Sequence, residues 1–73
     1  MRKIGDILIV KFGNYLDGQK CKITDINRVD GETTFNIELL EKQFNWKTGH
    51  DDLIFKFSNV HYCSLKEGDK YEL

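Results

Sequence analysis

Between Gly5 and Leu40 the chain reads GDILIVKFGNYLDGQKCKITDINRVDGETTFNIELL: three apolar, β-rich runs separated by glycine-marked turns. This arrangement selects consecutive strands folded against one another. The first, Asp6 to Phe12, holds four consecutive apolar residues. With Leu8, Val10 and Phe12 pointing inward, strand alternation puts Ile7 and Ile9 on the outer face, where something has to cover them. Gly13, Asn14, Asp17 and Gly18 then punctuate a connection with Tyr15 and Leu16 at its tip.

From Gln19 to Val29 a second strand puts Cys21 and Ile23 on one face, with Ile26 out of phase by one. The slip predicts a bulge near Thr24 and Asp25, which sharpens twist and helps a short sheet to close. Asp30-Gly31 is a hairpin signal, because both central positions of a type I′ turn want positive φ. Thr33 to Leu39 alternates cleanly, with Phe35, Ile37 and Leu39 on the buried face. Between Glu41 and Asp52, helix-forming residues compete with the alternation of Phe44 and Trp46, and the expectation is a strand extension and loop. Leu53, Phe55 and Phe57 predict a fourth strand, and Ser58 to Leu65 one helical turn carrying Val60 inward. Glu67-Gly68-Asp69 reads as a last turn and Lys70 to Leu73 as a closing strand, with Tyr71 and Leu73 on one face.

Seventy-three residues make one domain, 1–73, with a thin core: a chain of this length buries roughly 60 to 65% of its unfolded surface. Such a core rarely supplies more than about 3 to 5 kcal/mol net, so a second copy, a metal or a disulfide is often recruited. Cys21 and Cys63 are the only thiols and lack paired spacing; both are expected to be free, small core residues in a reducing cytoplasm. Arg2, Lys3 and Asp6 interrupt any apolar leader behind Met1, and no run of about 18 apolar residues marks a membrane span. Eleven basic against twelve acidic residues give no overall field that would draw the chain onto phosphate. The first 31 residues carry six Lys or Arg against four acids, a mild basic bias.

The order of these elements fits an all-β fold, a small five-stranded SH3-like barrel with one short helical turn before the last strand. Within it, Gly5-Asp6 followed by Leu8, Val10, Gly13, Gly18, Ile23 and Ile26 resembles the KOW motif of ribosomal and transcription-elongation proteins. Cys21 stands where that family usually carries a further glycine. The resemblance implies the fold first, and RNA contact through Lys11, Lys20, Lys22 and Arg28, among which Asp17, Asp25 and Asp30 are interspersed.

Chemistry-bearing constellations are sparse. Cys21, His50, His61 and Cys63 are zinc-ligand types, but they lack the close pairs around a tight turn that structural zinc uses. No nucleophile is accompanied by a base, an orienting group and an oxyanion-type glycine turn. His50-Asp51-Asp52 has too few oxygen ligands in register for a calcium loop. No metal, cofactor or catalytic residue is therefore expected. A tryptophan in a polar stretch is costly to leave exposed, and Trp and Tyr dominate binding hot spots, so Tyr15, Phe44, Trp46 and Lys47 form the expected contact surface.

These residues predict a non-catalytic small binding module whose partner is another protein, which it binds and occupies in the manner of phage or mobile-element accessory proteins. A KOW-like nucleic-acid or ribosome-associated module is the alternative. A third reading is an oligomer that sequesters a small ligand or nucleotide, with copies meeting at Ile7 and Ile9 as a homodimer would.

Overall fold

A computed structural model describes residues 2–67. The chain order is β1 (Ile7–Val10), β2 (Lys20–Val29), β3 (Glu32–Leu39), β4 (Gln43–Asn45), β5 (His50–Leu53), β6 (Lys56–His61), a 3₁₀ turn (Tyr62–Ser64) and β7 (Leu65–Glu67). Five strands form one antiparallel sheet in the order β6-β3-β2-β1-β7, and β4 with β5 forms a separate two-stranded sheet. The fold is thus all-β. Among the described residues its main sheet is open, with β6 and β7 as edges.

Alternation builds the core. Leu8 and Val10 from β1, Cys21 and Ile23 from β2, Phe35, Ile37 and Leu39 from β3, Val60 from β6 and Leu65 from β7 all point to one face and are buried, with Leu16 joining them from the loop after β1. Each such side chain contributes about 1.5–3 kcal/mol when fully removed from water. Phe12, Ile26, Phe55 and Phe57 pack half-buried around this cluster. Phe57 meets Phe12 edge-on at 5.2 Å between ring centres and Phe55 at 6.3 Å.

Two bulges bend the sheet. Ile23 faces Ile37 and Asp25 faces Asn36, which leaves Thr24 as the extra residue, at the expected place. On the other side of β3, Phe57 faces Ile37 and Val60 faces Phe35, so Ser58 and Asn59 together oppose Asn36. Asn59 takes a left-handed φ of 55° there. Its N–H donates to Asn36 Oδ1 at 3.1 Å, and its own Oδ1 accepts from Thr34 Oγ1 and Asn27 Nδ2, both at 3.2 Å. The β2–β3 turn has φ of 54° at Asp30 and 78° at Gly31, as a type I′ hairpin requires.

Several boundaries differ from expectation. The first strand stops at Val10, because Val10 N–H bonds to Gln19 O and Gly18 N–H to Val10 O, which turns the chain and leaves Phe12 outside the strand. Leu53 to Phe57 is not one strand: Leu53 ends β5, and β6 begins at Lys56. Ser58 to Leu65 is mostly strand, since the Asn59 bulge restores the inward phase at Val60 and only Tyr62–Ser64 is helical. On the side away from β2, β1 pairs with Leu65–Glu67, where buried Leu65 faces Val10. The expected turn at 67–69 and closing strand at 70–73 fall, beyond Glu67, outside the described residues. Cys63 is exposed on the 3₁₀ turn and not in the core; Cys21 is buried, and both thiols are free.

Candidate functional site

Two loops display aromatic side chains on backbones held by their own polar residues. In the loop between β1 and β2, Asp17 Oδ1 accepts from Gly13 N–H at 2.7 Å and Asn14 Oδ1 from Leu16 N–H at 2.9 Å. The Asn14 bond is an Asx turn, and together the two bonds hold a short loop without regular structure. Leu16 anchors it in the core, 4% exposed, whereas its neighbour Tyr15 is 80% exposed. Tyr15 therefore does not fold back over the core.

The second loop caps the β4–β5 hairpin, which continues β3 and β6 past a bend at residues 40–42 and 54–55. Leu39 N–H still reaches Phe55 O at 2.9 Å, but beyond it β4 and β5 pair only with each other among the described strands. At the tip of this arm Asn45 does most of the bracing. Its Oδ1 accepts from Lys47 N–H at 3.0 Å, and its carbonyl from Thr48 N–H at 3.2 Å and Gly49 N–H at 2.7 Å. Thr48 Oγ1 donates to Asp52 Oδ2 at 2.8 Å. Gly49 has φ of 75°, a left-handed position that favours glycine.

On this frame Trp46 is 78% and Phe44 59% exposed. Lys47 is exposed beside Trp46. The arm is pinned to the main sheet at its base, where the Gln19 and Gln43 side-chain amides exchange hydrogen bonds at 2.8 and 3.3 Å. Since Gln19 ends the Tyr15 loop and Gln43 opens β4, that pair fixes the arm against the loop. A groove of about 490 Å³ runs between this loop and the bend at the base of the arm, lined by Tyr15, Leu16, Ile54 and Phe55, with Asn14, Lys56 and Phe57. Ile54 was not foreseen as part of this surface; it sits in the bend that the sequence reads as strand interior.

The expected basic residues separate. Lys20 and Lys22 lie on the outer face of the sheet, in register with Ile9 and Ile7 respectively. Lys66 flanks Ile9 from β7, and the row Ile7, Lys22, Glu38, Lys56 crosses four strands. Both isoleucines are half-buried, and lysine stems on either side of Ile9 are placed to shield it. Arg28 lies at the far end of β2 opposite Thr33, and Lys11 just past β1. Lys56 and Lys66 join this face only through strand register, which leaves no local mark in sequence.

Burial raises the Cys21 thiol from the ordinary 9.0 to about 11, against a smaller lowering by a backbone hydrogen bond with Leu8. Cys21 on β2, His50 on the arm, His61 at the end of β6 and Cys63 on the 3₁₀ turn are carried by different elements. Among the described residues no three His, Cys, Asp or Glu side chains are gathered as metal ligands. No described helix is long and apolar enough to cross a membrane. No protein-family model, curated protein or solved structure matches the chain.

Proposed function

We propose that this chain is a non-catalytic binding module that engages a protein partner through the arm and the adjoining Tyr15 loop. The observation that carries the reading is the exposure of Trp46 and Tyr15 on turns whose backbones are already hydrogen-bonded in place, and of Phe44 on the adjoining strand β4. An aromatic side chain removes roughly 150–250 Å² from water when buried. A braced loop loses little further backbone entropy on docking, so more of that gain appears as affinity. The sheet order β6-β3-β2-β1-β7, with a 3₁₀ turn before the last strand, supports an SH3-like reading of the scaffold.

The test is capture on the immobilised chain, comparing wild type with Trp46→Ala across a salt series. The expected result is a protein retained by wild type at high salt and lost from Trp46→Ala. Retention that is indifferent to Trp46 and abolished by nuclease overturns the reading.

A second reading, contact with nucleic acid, is favoured by the outer sheet face, where Lys20, Lys22, Lys56 and Lys66 are spread over three strands around Ile7 and Ile9. Glu38 lies within the same row, and Asp25 is exposed beside Thr24 on the bulge. Phosphate contacts release counterions, so such binding falls steeply with salt, whereas aromatic docking does not.

A further inference from the structure

The groove between the Tyr15 loop and the bend at the base of the arm has an apolar lining that the fold holds in place. Leu16 is buried in the core, and Phe55 and Phe57 are half-buried and meet edge-on. The Phe55 carbonyl accepts from Leu39 N–H at 2.9 Å, which ties the bend to β3. Ile54 on the bend and Tyr15 on the loop are exposed beside them. The volume of about 490 Å³ falls within the range of about 300–1,000 Å³ typical of ligand sites.

The polar lining decides what fits. Its members are Asn14, Tyr15 and Lys56, and no carboxylate lines the groove. Asn14 Oδ1 is occupied by Leu16 N–H at 2.9 Å, which orients the amide, and its Nδ2 has no partner among the described residues. Lys56 is exposed and, although Glu38 stands opposite it in register, forms no ion pair among the described residues. The carboxylate of the same loop, Asp17, is turned to Gly13 N–H at 2.7 Å. An amide donor and an ammonium beside an apolar wall thus offer hydrogen bonds and positive charge that the lining itself does not answer. An arriving carboxylate gains a charge-assisted bond there, whereas an arriving Lys or Arg meets like charge.

We propose that this groove receives a segment of the protein partner in which an apolar side chain is flanked by carboxylates, the apolar group lying against Ile54 and Phe55 and a carboxylate meeting Lys56. This inference rests on the reading of the arm and the Tyr15 loop as a protein-docking surface and names the chemistry of what docks. An apolar centre with a charged rim is the usual anatomy of such a contact, and the rim charge selects the partner.

The test uses the full chain and short peptides in which a central leucine is flanked by glutamates. One control peptide has lysines in place of the glutamates, and another has alanine in place of the leucine. Amide shifts are followed by NMR in titrations that reach millimolar peptide. The glutamate peptide is expected to shift residues 14–16 and 54–57. The alanine control should bind about tenfold more weakly, through lost apolar burial, and the lysine control about threefold or more weakly, through the lost ion pair. Lys56→Gln should weaken the glutamate peptide about threefold and keep the difference between leucine and alanine. The proposal is overturned by equal binding of the glutamate and lysine peptides, by binding indifferent to the leucine, by shifts confined to Lys20, Lys22 and Lys66, or by no binding at all. It is also overturned if the same shifts appear on concentrating the chain alone, as they would if a second copy filled the groove. If the peptide fails while Trp46-dependent protein capture stands, the assignment of the groove alone is wrong. If capture fails as well, the docking reading falls with it.

Discussion

Cys21 and Cys63 stand at opposite extremes of exposure in one small domain, and their chemistry should separate accordingly. Cys63 should alkylate rapidly in the native protein and Cys21 only as fast as the chain opens, measurable by mass spectrometry over a time course. Because folding raises the Cys21 pKa from 9.0 to about 11, the unfolded thiol ionises first as pH rises. The stability that Cys21 contributes by staying protonated is therefore complete below pH 9.0 and is lost progressively up to about pH 11. Cys21→Ala should flatten that part of the stability profile relative to wild type in denaturant titrations, whatever its effect at neutral pH. Asn59 offers a second residue-level test. Glycine tolerates its φ of 55°, whereas a β-branched side chain does not. Asn59→Val should cost on the order of 1–3 kcal/mol in chemical unfolding, and Asn59→Gly clearly less, the remainder reflecting the lost bonds to Thr34 and Asn27.

Among the elements, the arm and the sheet should respond to substitution in opposite ways. Trp46→Ala removes a side chain that is 78% exposed and should leave stability within about 0.5 kcal/mol of wild type. Ile37→Ala, in contrast, empties a fully buried position and should cost about 2–5 kcal/mol. Thermal or urea unfolding of the two variants side by side checks the division between docking surface and core. How much of this was legible beforehand depends on where the determining contacts lie. The Thr24 bulge and the Asp30-Gly31 turn are local: a phase slip between Ile23 and Ile26, and two residues that accept positive φ, mark them in the chain itself. The inward face of β3 is equally plain from Phe35, Ile37 and Leu39. The break between Leu53 and Lys56 carries no such mark, because alternation of Leu53, Phe55 and Phe57 runs straight through it. Likewise Asn59 hides a bulge that is completed by Asn36, Thr34 and Asn27 from two other strands. Of the candidate surface, Tyr15, Phe44 and Trp46 were visible as aromatics in polar surroundings. Ile54 was not, since its exposure follows from the bend.

For the whole molecule, the question is which surface meets a partner. The outer sheet face mixes Lys20, Lys22, Lys56 and Lys66 with Glu38, Ile7 and Ile9. Generic RNA or DNA should bind it weakly and lose that binding as salt is raised, which a fluorescence anisotropy titration at two salt concentrations would establish. The half-burial of Ile7 and Ile9 also bears on self-association. An Ile7→Asp, Ile9→Asp chain that turns from dimer to folded monomer in light scattering would assign that face to a second copy. Docking through the arm is tested by a photoreactive benzophenone residue placed at Phe44 of the full chain in the cells that produce it, beside the same residue placed at Lys22. The expected result is a discrete protein adduct from the Phe44 site that disappears with Trp46→Ala, and none of matching yield from the Lys22 site. Adducts to nucleic acid, or a protein adduct formed only from the Lys22 site, would contradict it.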